Sequence, residues 1–87
     1  MKTALITGAS RGIGNAIALY LKNEGYRVLG TATSSAGVSK LEEEGIEGLV
    51  LDLNSAESKE KLWEQVEKKE IQISVLVNNA GITRDNI

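Results

Sequence analysis

Gly8, Gly12 and Gly14 stand where a short apolar run ends and a helical pattern begins, and this junction limits what the chain can fold into more than any other feature. Before it, Ala4-Leu5-Ile6 is apolar without alternation, as in a parallel strand buried on both faces. After it, Ile13, Ala16, Ile17, Tyr20 and Leu21 recur at spacings of three and four, drawing one apolar stripe down a helix. The glycines therefore fill a strand-to-helix turn. There Gly8 takes backbone angles closed to other residues, Gly12 keeps a Cβ out of the way of an approaching oxygen, and Gly14 lets helix pack closely on strand. Free N–H groups and the positive end of the helix dipole favour a diphosphate at this point. The spacing is Gly-x-x-x-Gly-x-Gly, unlike Gly-x-Gly-x-x-Gly and unlike a P-loop, whose Gly-Lys-Ser/Thr ending is missing. Alone, it also reads as a glycine-rich turn that holds no ligand.

The alternation continues down the chain. Gly25 stops the first helix, and residues 27–33 read as a second strand. Val38 and Leu41 mark a short helix ending near Gly45, and residues 49–53 read as a third strand. Asn54, with Glu57 three residues on, forms a capping-box pattern for a third helix, whose buried stripe is Leu62, Trp63 and Val66. Trp63 and Tyr20 are both read as core. Lys68 and Lys69 suit the negative end of that helix, and residues 71–77 form a fourth strand running into Asn78-Asn79-Ala80-Gly81. Strands joined by right-handed helical crossovers predict an α/β fold with a parallel sheet in the order 3-2-1-4. Its switch point brings Gly8 to Gly14 and Asn78 to Gly81 together at the carboxyl ends of neighbouring strands.

Composition removes several classes of function. At 87 residues the chain makes at most one small domain. Its 10 basic residues are outnumbered by 12 acidic ones and 3% of residues are aromatic, which argues against a nucleic-acid partner. With no cysteine and no histidine, disulfides, thiolate chemistry, histidine bases and the usual zinc clusters are excluded. Glu42-Glu43-Glu44 reads as a solvated helix face and not as a metal site. The first residues carry one lysine and too short an apolar run for a signal peptide or membrane helix, so a cytoplasmic protein with no membrane partner is expected.

Thr7-Gly8-Ala9-Ser10-Arg11-Gly12-Ile13-Gly14 together with Asn78-Asn79-Ala80-Gly81 resembles the short-chain dehydrogenase/reductase family. Residues 79–86, and Gly30-Thr31-Ala32-Thr33-Ser34, are similar to one branch of it, the reductases that act on 3-oxoacyl-[acyl-carrier-protein] in fatty-acid synthesis. The resemblance implies a Rossmann-like domain of which residues 1–87 are the amino-terminal, cofactor-binding portion, cut after the fourth strand. It implies that Gly8, Ser10, Arg11, Gly12, Ile13 and Gly14 lie along the cofactor's phosphates and adenosine ribose. Asp52 and Leu53 would contact the adenine, and Asn79, Ala80 and Gly81 would line the nicotinamide ribose. An acid at the end of the second strand usually binds the 2′-hydroxyl of NAD and would repel a 2′-phosphate. Here that end is Ala32-Thr33-Ser34 with no acid, while Arg11 offers a guanidinium fork and Thr33 and Ser34 offer hydroxyls, so NADP(H) is expected.

Each residue also has a plainer reading. Arg11 is otherwise a solvated turn cation. Asp52 is otherwise a helix cap. Asn78 is read as tying the fourth strand to the first, and Asn79 as touching ligand. Arg84 has no role that spacing supports. The family's chemistry uses a serine, a Tyr-x-x-x-Lys pair and an asparagine, the tyrosine serving as acid because the lysine and the cofactor ribose lower its pKa. Tyr20 is followed four residues later by Glu24 and Tyr26 by Gly30, so no residue of 1–87 is assigned as catalytic. The resemblance implies an acyl-carrier-protein-linked substrate and a homo-oligomer, a tetramer at full length. The alternative is a non-catalytic nucleotide-binding or assembly module. An apolar open edge at the fourth strand is expected to make the isolated chain self-associate.

Overall fold

Ala4, Leu5 and Ile6 are completely buried, because the strand that carries them has a neighbour on each edge and helices on each face. The computed structural model describes residues 1–79. Their elements run β1 (Thr3–Ile6), α1 (Gly12–Asn23), β2 (Arg27–Ala32), α2 (Ser35–Glu43), β3 (Glu47–Val50), α3 (Ala56–Lys68) and β4 (Val75–Val77). The sheet is parallel in the order β3-β2-β1-β4, as the alternation predicts. Side chains alternate across β1. Ala4 and Ile6 join Ala18, Val28, Leu41 and Ile46 in the core beneath α1 and α2, whereas Leu5 joins Leu29, Val66 and Ile71 beneath α3.

The helices end by one device used three times. Tyr26 N–H donates to Leu21 O and Gly25 N–H to Lys22 O; Ile46 and Gly45 repeat the pair on Leu41 and Glu42, and Ile71 and Glu70 on Val66 and Glu67. Each is a Schellman motif whose residue after the left-handed position is apolar and packs back onto the helix. Gly25 and Gly45 hold the left-handed position at φ 95° and 82°. At the third helix it is Glu70, at φ 55°. This motif also explains where strands begin. Ile71 N–H is bound to the helix, so Ile71 is buried core and not strand; pairing resumes at Ser74 N–H with Thr3 O, and β4 is shorter than residues 71–77.

Other boundaries and faces differ from expectation for local reasons. β3 lies earlier than residues 49–53, because Asp52 Oδ1 accepts the Asn54 N–H at 2.9 Å and bends the chain out of the sheet. Ser55, not Asn54, caps α3, accepting from the Ser58 N–H at 3.1 Å. On α1 the buried line is Gly14 and Ala18, flanked by half-buried Ile17 and Leu21; Ile13 and Tyr20 are 73% and 63% exposed and Ala16 is exposed. Small residues face the sheet there because the helix approaches closely, which turns the larger side chains outward. Trp63 is likewise 44% exposed beside the buried Leu62 and Val66. With Leu53 and the 54% exposed Leu76 it lines a groove of about 250 Å³.

At the opposite end of the sheet, Arg27 on β2 holds Glu47 on β3 bidentately at 2.5 and 2.9 Å. The hydrogen bond raises the Arg27 pKa and lowers that of Glu47. Both side chains are well solvated, so the pair fixes β2–β3 register more than it adds stability. The third Schellman motif gives a direct test: Glu70→Gly removes a Cβ from a left-handed position and is expected to stabilise the fold by about 1 kcal/mol in urea denaturation. No gain would show that the Glu70 side chain supplies a compensating interaction.

Candidate functional site

The turn after β1 is held by its own backbone. Thr7 N–H donates to Val77 O at 3.0 Å, Gly8 N–H to Thr31 Oγ1 at 3.0 Å, and Ala9 N–H to Thr31 O at 2.8 Å. Thr31 is buried in β2 and receives two successive amides of the turn. Sequence reading missed it, since a threonine inside a strand signals only β propensity. Just past β4, Asn79 Nδ2 donates to Gly8 O at 3.1 Å, and the Thr7 hydroxyl donates to Asn78 Oδ1 at 3.4 Å. The two remote segments therefore meet at the switch point of the sheet. Both asparagines serve as ties here, the role expected of Asn78; Ala80, Gly81 and Arg84 lie outside the described residues.

Past Ala9 the bonding changes. Arg11, in extended backbone at the N-cap position, supplies no side-chain cap, and the first turn of α1 has no acid. By contrast Ser34 caps α2 by accepting the Gly37 N–H at 3.3 Å, and Ser55 caps α3. The opening amides of α1 thus have no side-chain acceptor among the described residues, although they carry the positive end of the helix dipole. Gly12, at φ 65°, has nothing within 4 Å of where a Cβ would stand, so the space before these amides is open. Arg11 is exposed and has no ion-pair partner among the described residues. An open, uncapped helix start beside a guanidinium has the chemistry of a diphosphate cradle.

Gly14 sets the depth of that cradle. A Cβ there would stand 2.2 Å from Gly8 O and 2.6 Å from Asn79 Nδ2, so only glycine admits the contact between α1 and the turn. The remaining expected residues follow the other strands at the same edge of the sheet. Thr33 follows β2 and is exposed, and Ser34 beside it is occupied as the α2 cap while its hydroxyl proton can still donate. Asp52 and Leu53 follow β3, both exposed. The Asp52 carboxylate shapes the turn into α3 without being its N-cap. Glu44 corrects another expectation. It is half-buried and bonded to Asn15 and Lys40, not a member of a solvated face.

A parallel α/β sheet in the order β3-β2-β1-β4, with a glycine turn at its switch point, defines the Rossmann-like class. The model of the short chain dehydrogenase family matches residues 2–87, and the chain belongs to that family. It is 52% identical to the 3-oxoacyl-[acyl-carrier-protein] reductase FabG of Pseudomonas aeruginosa, 49% to that of Haemophilus influenzae and 45% to that of Escherichia coli K12. In each comparison 99% of this chain is covered, and the chain spans 36–37% of the relative's length. Among the described residues there is no group of three or more His, Cys, Asp or Glu side chains placed to hold a metal, and no helix long and apolar enough to cross a membrane.

The glycines separate by substitution. Gly14→Ala, which in an ordinary helix interior would gain about 1 kcal/mol, is expected to cost about 2 kcal/mol or more because the obstructing atom is backbone. Gly12→Ala meets no atom and should cost only the left-handed backbone penalty, about 1–2 kcal/mol. Equal losses in chemical denaturation would contradict this division of roles.

Proposed function

We propose that residues 1–87 form the NADP(H)-binding portion of an enzyme that reduces 3-oxoacyl-[acyl-carrier-protein] to the 3-hydroxyacyl thioester. The observation that carries this reading is the start of α1, which no side chain of the described residues caps, beside an Arg11 with no ion-pair partner among them, at the carboxyl end of the sheet where β2 ends without an acid. The names of the relatives support the substrate, and their greater length supports a division of labour in which catalytic groups come from outside residues 1–87.

In this scheme the opening amides of α1 and the Ser10 and Arg11 N–H groups bind the diphosphate. Arg11, with Thr33 and the Ser34 hydroxyl, receives the 2′-phosphate, since a cation and neutral donors favour it where an aspartate would repel it. Asp52 and Leu53 border the adenine, and Asn79, Ala80 and Gly81 border the nicotinamide ribose. Bound NADPH supplies the hydride. Tyr20, exposed on α1, and Tyr26, packed against the α1–α2 core, lack a lysine four residues on, so neither protonates the carbonyl oxygen. The enzyme acts in the cytoplasm as a homo-oligomer. A cradle without an acid–base pair also favours a second reading, a nucleotide-binding or assembly module without turnover.

Assay of the intact protein separates these. We expect NADPH oxidation that depends on a 3-oxoacyl thioester, and Arg11→Gln weakening NADPH by about tenfold while leaving NADH within about twofold. NADPH binding without thioester-dependent oxidation would favour the module. Equal losses for both dinucleotides would remove Arg11 from the 2′-phosphate.

A further inference from the structure

Behind the turn stands a polar relay that neither the glycine motif nor the comparisons explain. Asn15, in the first turns of α1, donates from Nδ2 to Ala9 O at 3.0 Å and to Glu44 Oε1 at 2.8 Å. Lys40, on α2, donates from Nζ to Ser10 O and lies 3.4 Å from the other oxygen of Glu44. One carboxylate at the end of α2 thus joins two donors that hold successive carbonyls of the turn. Those carbonyls are the first past the segment bound to β2 and β4, at the point where the turn's amides cease to be bonded to the sheet.

In a trans peptide the C=O of one residue and the N–H of the next point in opposite directions. Holding Gly8 O with Asn79 has this consequence already: the Ala9 N–H points away, onto Thr31 O. By the same geometry, a carbonyl of Ala9 held by Asn15 turns the Ser10 N–H outward, and a carbonyl of Ser10 held by Lys40 turns the Arg11 N–H outward. An ammonium on a carbonyl oxygen also polarises that peptide and strengthens its N–H as a donor.

We propose that Lys40 and Asn15, linked through Glu44, are positioning residues that aim the Ser10 and Arg11 amides at the dinucleotide diphosphate. The inference rests on the nucleotide-binding reading above and assigns these three side chains to that site without contact with the ligand. Since the diphosphate is common to NADH and NADPH, the relay acts on both alike, which distinguishes it from Arg11. Glu44 is the hinge of the arrangement: without its charge, nothing else among the described residues holds the Lys40 ammonium by an ion pair.

The test is equilibrium titration of the intact protein with NADPH and with NADH, followed by fluorescence, for Lys40→Met, Lys40→Arg, Glu44→Gln and the Lys40→Met/Glu44→Gln double variant. Lys40→Met is expected to weaken both dinucleotides by the same factor, roughly five- to tenfold. Lys40 is half exposed, so the midpoint of thermal unfolding should stay within about 2 °C. Lys40→Arg should retain most of the affinity, Glu44→Gln should lose less than Lys40→Met, and the double variant should be no worse than Lys40→Met alone, as members of one network. Unchanged affinity in Lys40→Met, or a loss confined to NADPH, would overturn the positioning role, the second by making Lys40 a direct partner of the 2′-phosphate. If the unsubstituted protein bound neither dinucleotide, the functional reading itself would fall; if it bound both and Lys40→Met bound them equally well, only the relay would.

Discussion

The contact between Gly14 and the Gly8 carbonyl is the constraint on which the rest of the molecule depends. It lets α1 start directly over the end of β1, so the helix dipole, the open amides and the switch point of the sheet share one place. Had a Cβ stood there, the helix would have to lift off the turn, and the bonds from Thr31 and Asn79 would lose their register with the backbone they hold. The same close approach dictates the face of α1. Gly14 and Ala18 lie against the sheet, and Ile13 and Tyr20 are displaced to the surface.

The turn divides its polar groups between two uses. Amides up to Ala9 are bonded to β2 and β4 and tie the turn down; those from Ser10 to Gly14 have no acceptor among the described residues, and the space beside Gly12 is open. Rigid carbonyls and open donors are complementary, since a peptide fixed at its oxygen presents its N–H in one direction. In the proposed function, a diphosphate meeting such donors would displace water without first ordering the loop, and this preorganisation would be the source of its affinity.

Much of this was legible in the sequence because it depends on local chemistry. The alternation of apolar runs and helical spacing yields the β3-β2-β1-β4 sheet once handedness is applied, and glycine at 8, 12 and 14 marks the turn. What escaped depends on tertiary approach. The orientation of α1 could not be read from its stripe, because Ile13 and Tyr20 fit a helical period as well as Gly14 and Ala18 do. The late start of β4 was hidden because Glu70, and not a glycine, holds the left-handed position after α3, and the bond from Ile71 N–H back to Val66 delays strand pairing until Ser74. Thr31, Asn15 and Lys40 gave no signal, since their partners are backbone atoms at distances of 6 to 30 residues along the chain.

The central claim is that the amides from Ser10 to Gly14 receive the dinucleotide diphosphate. Its most direct test is a ¹⁵N-resolved NMR titration of the intact protein with NADPH. The account predicts that the amide resonances of residues 10–14 move furthest, saturating together with the binding curve. Largest shifts between β3 and α3, around Val50 and Lys61, with residues 10–14 unmoved, would contradict it.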